Sequence, residues 1–463
     1  MKRRKFLKNT SLTAASIITA PYILPTGRLF AATGERIVNH VVLVLFAGGI
    51  RQQESVEQQY IATQNGASTT GNLMRNMLSG AAPTNNLQPL GGEGLWDPIQ
   101  SNSLASQGTL FQEVIYQQGP PGHYNGHAVA LTGNYYPNNI NLNEHPTNPT
   151  IFELYRKHND PVQTALNAWW ISEGLGPYPS LNYSQDPLYG SQYGANYLRP
   201  ASIFGGPGQG QLGDAQTYQP DDVSRIDKVK AMLDKNFDQS GNGLPGIENT
   251  PENRALIKSY LTNTIQDVQN GMLDLAVPNG SNFVTGDLIN ISSAWTVMKE
   301  FAPELTVINT ANLDVCHSDF SQYLNFLHRA DYGVGWLWDK IQGPEGAAVG
   351  LKDDTIMICV PEHGRNWVTN NNVDSNGMRA LDHTAENISQ IQDYNLPYTN
   401  SRRIFSLIVG PEDKVVQNQV LGSPGNPVGE SIDIAPTIAN ILGFDDNIPA
   451  GMLPGRVLEE ALV

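Results

Sequence analysis

Three short motifs place carboxylates and imidazoles where a cation or a proton could be handled. The run Asn312-Leu313-Asp314-Val315-Cys316-His317 sets a carboxylate and an imidazole three residues apart, close enough to converge on one metal ion. Pro361-Glu362-His363-Gly364-Arg365-Asn366 puts a carboxylate beside an imidazole ahead of a glycine turn, and Leu381-Asp382-His383-Thr384 adds a further imidazole in a polar stretch. One such histidine alone is most often a hydrogen-bonded surface group. The chain has only nine histidines in 463 residues, however, so finding several of them in motifs of this kind singles those motifs out. Asp314, His317 and His383 offer one carboxylate and two neutral nitrogens, the donor set of many catalytic zinc sites, with a position left open for water or substrate. Glu362 and His363 are the candidates for a second, weaker position or for proton transfer. Cys316 is expected to point away, because successive side chains on an extended segment alternate sides.

Such groups need rigid elements to hold them. The run from Asn39 to Phe46 is apolar without a break from Val41 and ends in Ala47-Gly48-Gly49, which predicts a central strand buried on both faces and then a tight turn. Similar runs predict strands at Thr109 to Gln117, Thr164 to Ile171, Leu305 to Asn309, Thr355 to Val360 and Ile404 to Val409. Apolar residues at spacings of three and four predict helices at Thr150 to Lys157, Glu252 to Leu273, Asp287 to Phe301, Ser318 to Ile341 and Ile432 to Leu442. Strands alternating with helices argue for an α/β fold, a mostly parallel sheet covered on both faces. Gly174 to about Asp222 is rich in Gly, Pro, Tyr, Ser and Gln without a sustained period and reads as a long inserted loop region. Its aromatic residues, together with Trp169 and Trp170, are read as packing this region onto the sheet.

Composition narrows the partners. The chain carries a formal net charge of −16 and no clustered Lys/Arg track, which excludes a nucleic-acid backbone as an expected ligand. Lys2, Arg3, Arg4, Lys5 and Lys8, an apolar stretch from about Leu12 to Leu24, and Ala31-Ala32 have the layout of a twin-arginine export signal over residues 1–32. The expectation is a periplasmic or secreted protein that meets the twin-arginine machinery and has no membrane span once the signal is removed. Residues 33–463 are then expected to be a single α/β domain with an insertion at about 172–286. With only Cys316 and Cys359, no disulfide framework is expected.

The order of these motifs resembles the alkaline phosphatase and sulfatase superfamily. Gly126-His127-Ala128-Val129-Ala130-Leu131-Thr132-Gly133 is similar to the end of that family's nucleophile helix. Asp314 with His317 resembles its Asp-x-x-x-His pair shortened by one residue, Glu362-His363-Gly364 its Asp-His-Gly motif, and His383 its last metal ligand. Asp433-Ile434-Ala435-Pro436-Thr437-Ile438 resembles its closing helix. The resemblance implies a three-layer α/β/α sandwich, a divalent metal with zinc as first expectation, and hydrolysis of phosphate or sulfate esters of a small molecule or glycan. Two central positions depart from it. Ala47 or Gly48 stands where the family has its first metal-binding Asp, and counting back from Gly133 puts His123 where the nucleophile belongs. No Ser, Thr or Cys lies between Gly119 and Leu131. His123, Glu362 and His363 therefore become the catalytic candidates, Glu54 and Ser55 are more remote ones, and one metal position should be stronger than the other. A protein that keeps the fold for binding, without catalysis, is the alternative.

Overall fold

The computed structural model describes residues 22–23, 29–30, 36–61, 68–83, 93–138, 140, 144–159, 165–172, 179–204, 249–392 and 396–463. The expected export signal lies outside these apart from two short paired strands, Tyr22–Ile23 and Leu29–Phe30. The main sheet has eight strands: β1 (His40–Phe46), β2 (Gly108–Ile115), β3 (Ala168–Ser172), β4 (Asn196–Leu198), β5 (Leu305–Thr310), β6 (Thr355–Pro361), β7 (Arg403–Val409) and β8 (Gln419–Leu421). Their spatial order is β8-β2-β7-β6-β1-β5-β3-β4. Only β7 runs against the rest, pairing antiparallel with β2 and β6, while every other neighbouring pair is parallel.

The continuous apolar run of β1 is explained by its two covered faces. Val42, Val44 and Phe46 enter one core with α3 (Pro251–Gln269), α4 (Gly286–Phe301) and α5 (Phe320–Gln342). Val41, Leu43 and Leu45 enter the other with α1 (His123–Thr132), α2 (Ile151–His158) and α6 (Ile434–Ile441). The result is a three-layer α/β/α sandwich, as the alternation of strand and helix predicts. Each fully buried aliphatic side chain stabilises it by about 1.5–3 kcal/mol. Local signals start and stop the helices. Thr150 and Glu153 form a capping box at the start of α2. Pro436 sits in the first turn of α6, and Gly443 follows its end at a φ of 70°. Ile434, Ile438 and Ile441 of α6 are buried in the second core, as expected.

The stretch read as an inserted loop is in part sheet. Asn196–Leu198 pairs with β3 as an edge strand, and at three residues it is too short to show a period. The equally short β8 escapes sequence reading for the same reason. Trp169 and Trp170 are buried, with Trp169 stacked on Phe301 and edge-on to Tyr260, so these aromatics are packing groups. Cys316 and Cys359 are free and buried.

What matters for the site is the alignment of strand ends. β6, β1 and β5 are adjacent and parallel, with Pro361 opposite Phe46 and Phe46 opposite Thr310, so all three chains leave the sheet at one level. Ligands of open parallel sheets bind beyond these carboxyl ends. The start of α1 is held over the same edge by close packing: a Cβ added at Gly126 would lie 2.5 Å from the carbonyl oxygen of Glu362. Gly126→Ala, which in an unobstructed helix would stabilise, is therefore expected to cost about 1–3 kcal/mol in urea unfolding through overpacking. A stability equal to or above the wild type would show that α1 does not rest on Glu362.

Candidate metal centre

Four elements deliver the chemical groups. After β5 the chain forms a 3₁₀ helix, Asn312–His317, rather than the extended segment expected. At three residues per turn it eclipses positions i and i+3, so Asp314 and His317 share a side, with Asp314 Oδ1 3.0 Å from His317 Nε2. The tighter helix accommodates the spacing that the sequence shortens, and Cys316 is turned into the core beside α5. α1 begins at His123, and its one-turn neighbour His127 lies on the same face. Glu362 and His363 leave the end of β6, and His383 arrives on a later loop.

These elements bring Asp314, His317 and His383 together, and they place His123 with them: the four ligand atoms lie within 4.8 Å of one another. Asp314 Oδ1 is also 3.0 Å from His123 Nε2. The hydrogen-bond partners set the tautomers. His383 Nδ1 donates to the carbonyl of Pro121 at 2.8 Å, and His317 Nδ1 donates to Asp382 Oδ1 at 2.7 Å, which leaves both Nε2 atoms bare in the neutral rings. A bare nitrogen facing a carboxylate oxygen at 3.0 Å is repulsive unless a proton or a cation stands between them. Three nitrogens and one carboxylate thus fit a divalent cation, with outer partners that orient the imidazoles.

Around Glu362 the arrangement differs. This fully buried carboxylate accepts from the backbone N–H of Gly48 at 2.5 Å and lies 2.6 Å from His123 Nδ1, 2.5 Å from His127 Nδ1 and 3.2 Å from His363 Nε2. His123, Glu362 and His363 form the second potential ligand group among the described residues. The end of β1 adds no carboxylate to it and has no room for one. Gly48 has a φ of 97°, and a Cβ there would lie 2.3 Å from the backbone nitrogen of Asp314. Glu54 and Ser55 do not reach the centre. Glu54 is buried in an ion pair with Arg51, whose Nε lies 2.9 Å from Oε2, and Ser55 donates to the carbonyl of Arg51.

Sequence reasoning left His127, Arg365 and Asp382 without a role, although all three stand in or beside the motifs it singled out. For His127 the available signal is its spacing of four from His123. Its Nε2 lies 2.6 Å from Asn309 Oδ1, whose orientation is set by the donation of Asn309 Nδ2 to Ser172 Oγ. With the carboxylate of Glu362 on Nδ1, both ring nitrogens face acceptors, which calls for an imidazolium.

Protonation follows from the same contacts. Burial opposes charge on His123, but the Glu362 and Asp314 carboxylates raise it to about 9. Burial likewise opposes charge on His127, and Glu362 raises it. The hydrogen bond to Asp314 raises His317 against its burial. His383 and His363 are pushed down by burial, with charge on neighbouring rings adding to it. Burial would raise Asp314 and Glu362, but the imidazoles around them hold both well below the usual carboxylate range.

No family model matches the sequence, and no curated protein matches it. Solved structures do. A protein in the alkaline phosphatase superfamily from Vibrio parahaemolyticus is 14% identical, with 97% of this chain and 80% of that one covered at a TM-score of 0.39. The lipoteichoic acid synthase LtaP from Listeria monocytogenes is 13% identical, with coverages of 96% and 79% at a TM-score of 0.37. Wild-type alkaline phosphatase PafA is 11% identical, with coverages of 92% and 99% at a TM-score of 0.43.

In metal-free protein, His123 is raised from its ordinary 6.5 to about 9, so the stability it contributes is fully present below pH 6.5 and is lost as pH rises through about 9. A cation needs the lone pair that this proton occupies, so its affinity should rise over the same window. Thermal unfolding across that range should show the metal-free protein weakening while the gain on adding zinc grows. A zinc gain that stays level with pH would contradict the placement of His123 among the ligands.

Proposed function

We propose that this chain is a divergent member of the alkaline phosphatase and sulfatase superfamily that hydrolyses phosphate or sulfate esters with one tightly held cation. The convergence of the His123, His317 and His383 rings on Asp314 beyond the ends of β1, β5 and β6 carries this reading. Zinc suits the donor set best. When bound, such an ion supplies Lewis-acid polarisation of an ester oxygen and makes water more acidic.

The remaining work falls to the chain's own groups. Pro121 and Asp382 keep the Nε2 atoms of His383 and His317 turned toward the centre. Glu362 and His363 hold His123 through Nδ1, at 2.6 and 3.1 Å. Glu362, held as an anion far below its ordinary range, is a weak proton acceptor, so its part is to orient and balance charge. His123 occupies the start of α1, where the resemblance places the nucleophile, and it offers no hydroxyl. Its two ring nitrogens are already engaged, by Asp314 and by Glu362, which weighs against attack by the imidazole itself through a phosphohistidine, so attack by water is the reaction we assign.

The centre is read as asymmetric. Glu362 is already neutralised by His127 and bonded to Gly48, and no carboxylate comes from the end of β1, so a second cation is held weakly or not at all. The presence of His123 among the ligands, in the nucleophile's place, favours one other reading, in which the fold keeps a single metal for binding alone. We also read residues 1–32 as a twin-arginine signal that sends the protein to the periplasm or beyond. Among the described residues no helix is long and apolar enough to cross a membrane.

Elemental analysis is expected to find one tightly held cation per chain, lost in Asp314→Ala or His317→Ala and reduced less in Glu362→Gln. Two tight cations, or none after loading at neutral pH, would refute the arrangement. Metal-loaded protein should turn over at least one of aryl phosphate monoesters, aryl phosphate diesters and aryl sulfates. A bound cation with no turnover on any of them would leave the binding reading. Replacing Arg3 and Arg4 by Lys should retain the protein in the cytoplasm, and unchanged periplasmic yield would refute the signal.

A further inference from the structure

We propose that Arg365 is the positioning residue of this centre, one guanidinium that sets the direction of the Asp314 carboxylate and the spacing of the loops that carry the ligands. The inference rests on the metal-binding reading of His123, Asp314, His317 and His383. Arg365 lies four residues beyond the end of β6 and is completely buried. Its donors go to three separate loops. Nε donates to the carbonyl of Gly49 at 3.3 Å, in the turn after β1. Nη1 donates to the carbonyl of Leu381 at 2.9 Å, two residues before His383. Nη2 donates to the carbonyl of Leu313 at 3.1 Å and to Asp314 Oδ1 at 3.0 Å, in the 3₁₀ helix that also carries His317. The ring of Tyr323 from α5 lies against the guanidinium at 5.7 Å, which restrains its plane further.

One planar fork therefore ties together stretches that are far apart in sequence, and it does so through the ligand oxygen itself. An exposed arginine could make one of these bonds for any surface reason. A fully buried one bonded to the two loops that carry Asp314, His317 and His383, to the turn after β1 and to a ligand carboxylate is a brace for that constellation. Its charge works against a cation, since a fixed positive group beside Asp314 repels the ion that Asp314 binds. Removing the side chain altogether would therefore mix two opposed effects. Lysine separates them: it keeps the charge, but its compact ammonium lacks the flat five-donor fork needed to reach three carbonyls and a carboxylate at once.

The test is cobalt(II) binding by the whole chain, with affinity from chelator competition and the visible d–d absorption as a report on coordination geometry. Wild type is expected to give a strong visible band. Arg365→Lys is expected to bind about tenfold more weakly or worse, the scale of losing an outer-shell partner, with a shifted or weakened band. Its metal-free unfolding temperature should stay within a few degrees of the wild type. An affinity within twofold and an unchanged band would overturn the proposal. If the lysine variant does not fold, Arg365→Gln is read by its visible band alone, because loss of the charge moves the affinity the opposite way; an unchanged band overturns the proposal, and so does failure of both variants to fold, since the residue would then support the fold at large. A wild type with no cobalt(II) band would instead sink the metal reading beneath it.

Discussion

One carboxylate oxygen organises the centre. Oδ1 of Asp314 lies 3.0 Å from His123 Nε2, from His317 Nε2 and from the guanidinium of Arg365, so the 3₁₀ helix after β5, the loop after β6 and the start of α1 meet on a single atom. An anion in this position cannot be left uncompensated away from water. Its compensation draws on almost every layer of the fold. β1 and β5 must run side by side so that the turn at Gly48 can touch the backbone of Asp314, β6 must end level with them to supply Arg365, and α1 must lie close enough for His123 to reach across.

A second constraint is that this edge of the sheet buries more than one carboxylate. Glu362 is surrounded by His123, His127, His363 and the N–H of Gly48. Its charge is met from within the protein, by an imidazolium buried against Asn309, and the glycines at the end of β1 leave no space for another acid. The two halves of the centre are thus built on different principles. Around Asp314, imidazole nitrogens face an anion and call for a proton or a cation between them. Around Glu362, protonated groups already supply the positive charge. His123 belongs to both halves, because Nε2 faces Asp314 while Nδ1 faces Glu362, and any proton it takes up competes with a metal.

The sequence by itself determined the elements with a strong, long signal. The apolar run of β1 from Val41 to Phe46, short, rich in β-branched residues and closed by Gly48-Gly49, reads as a strand covered on both faces, and Pro436 and Gly443 bracket α6 by backbone chemistry alone. It also singled out Asp314, His317, Glu362, His363 and His383, because rare residue types at strand ends stand out without coordinates. What it could not give were the short pairings of Asn196–Leu198 and Gln419–Leu421, whose three residues carry no period and whose stability comes entirely from the neighbouring strand. Nor could it reveal that Asn312–His317 winds as a 3₁₀ helix, that His127 is held between Asn309 and Glu362, or that Arg365 reaches three loops at once. Those are facts of contact between residues tens to hundreds of positions apart. Local composition and spacing decide which segments become strands and helices, but the charge, tautomer and direction of a side chain depend on whichever groups the packed sheet places beside it, and only the tertiary structure decides that.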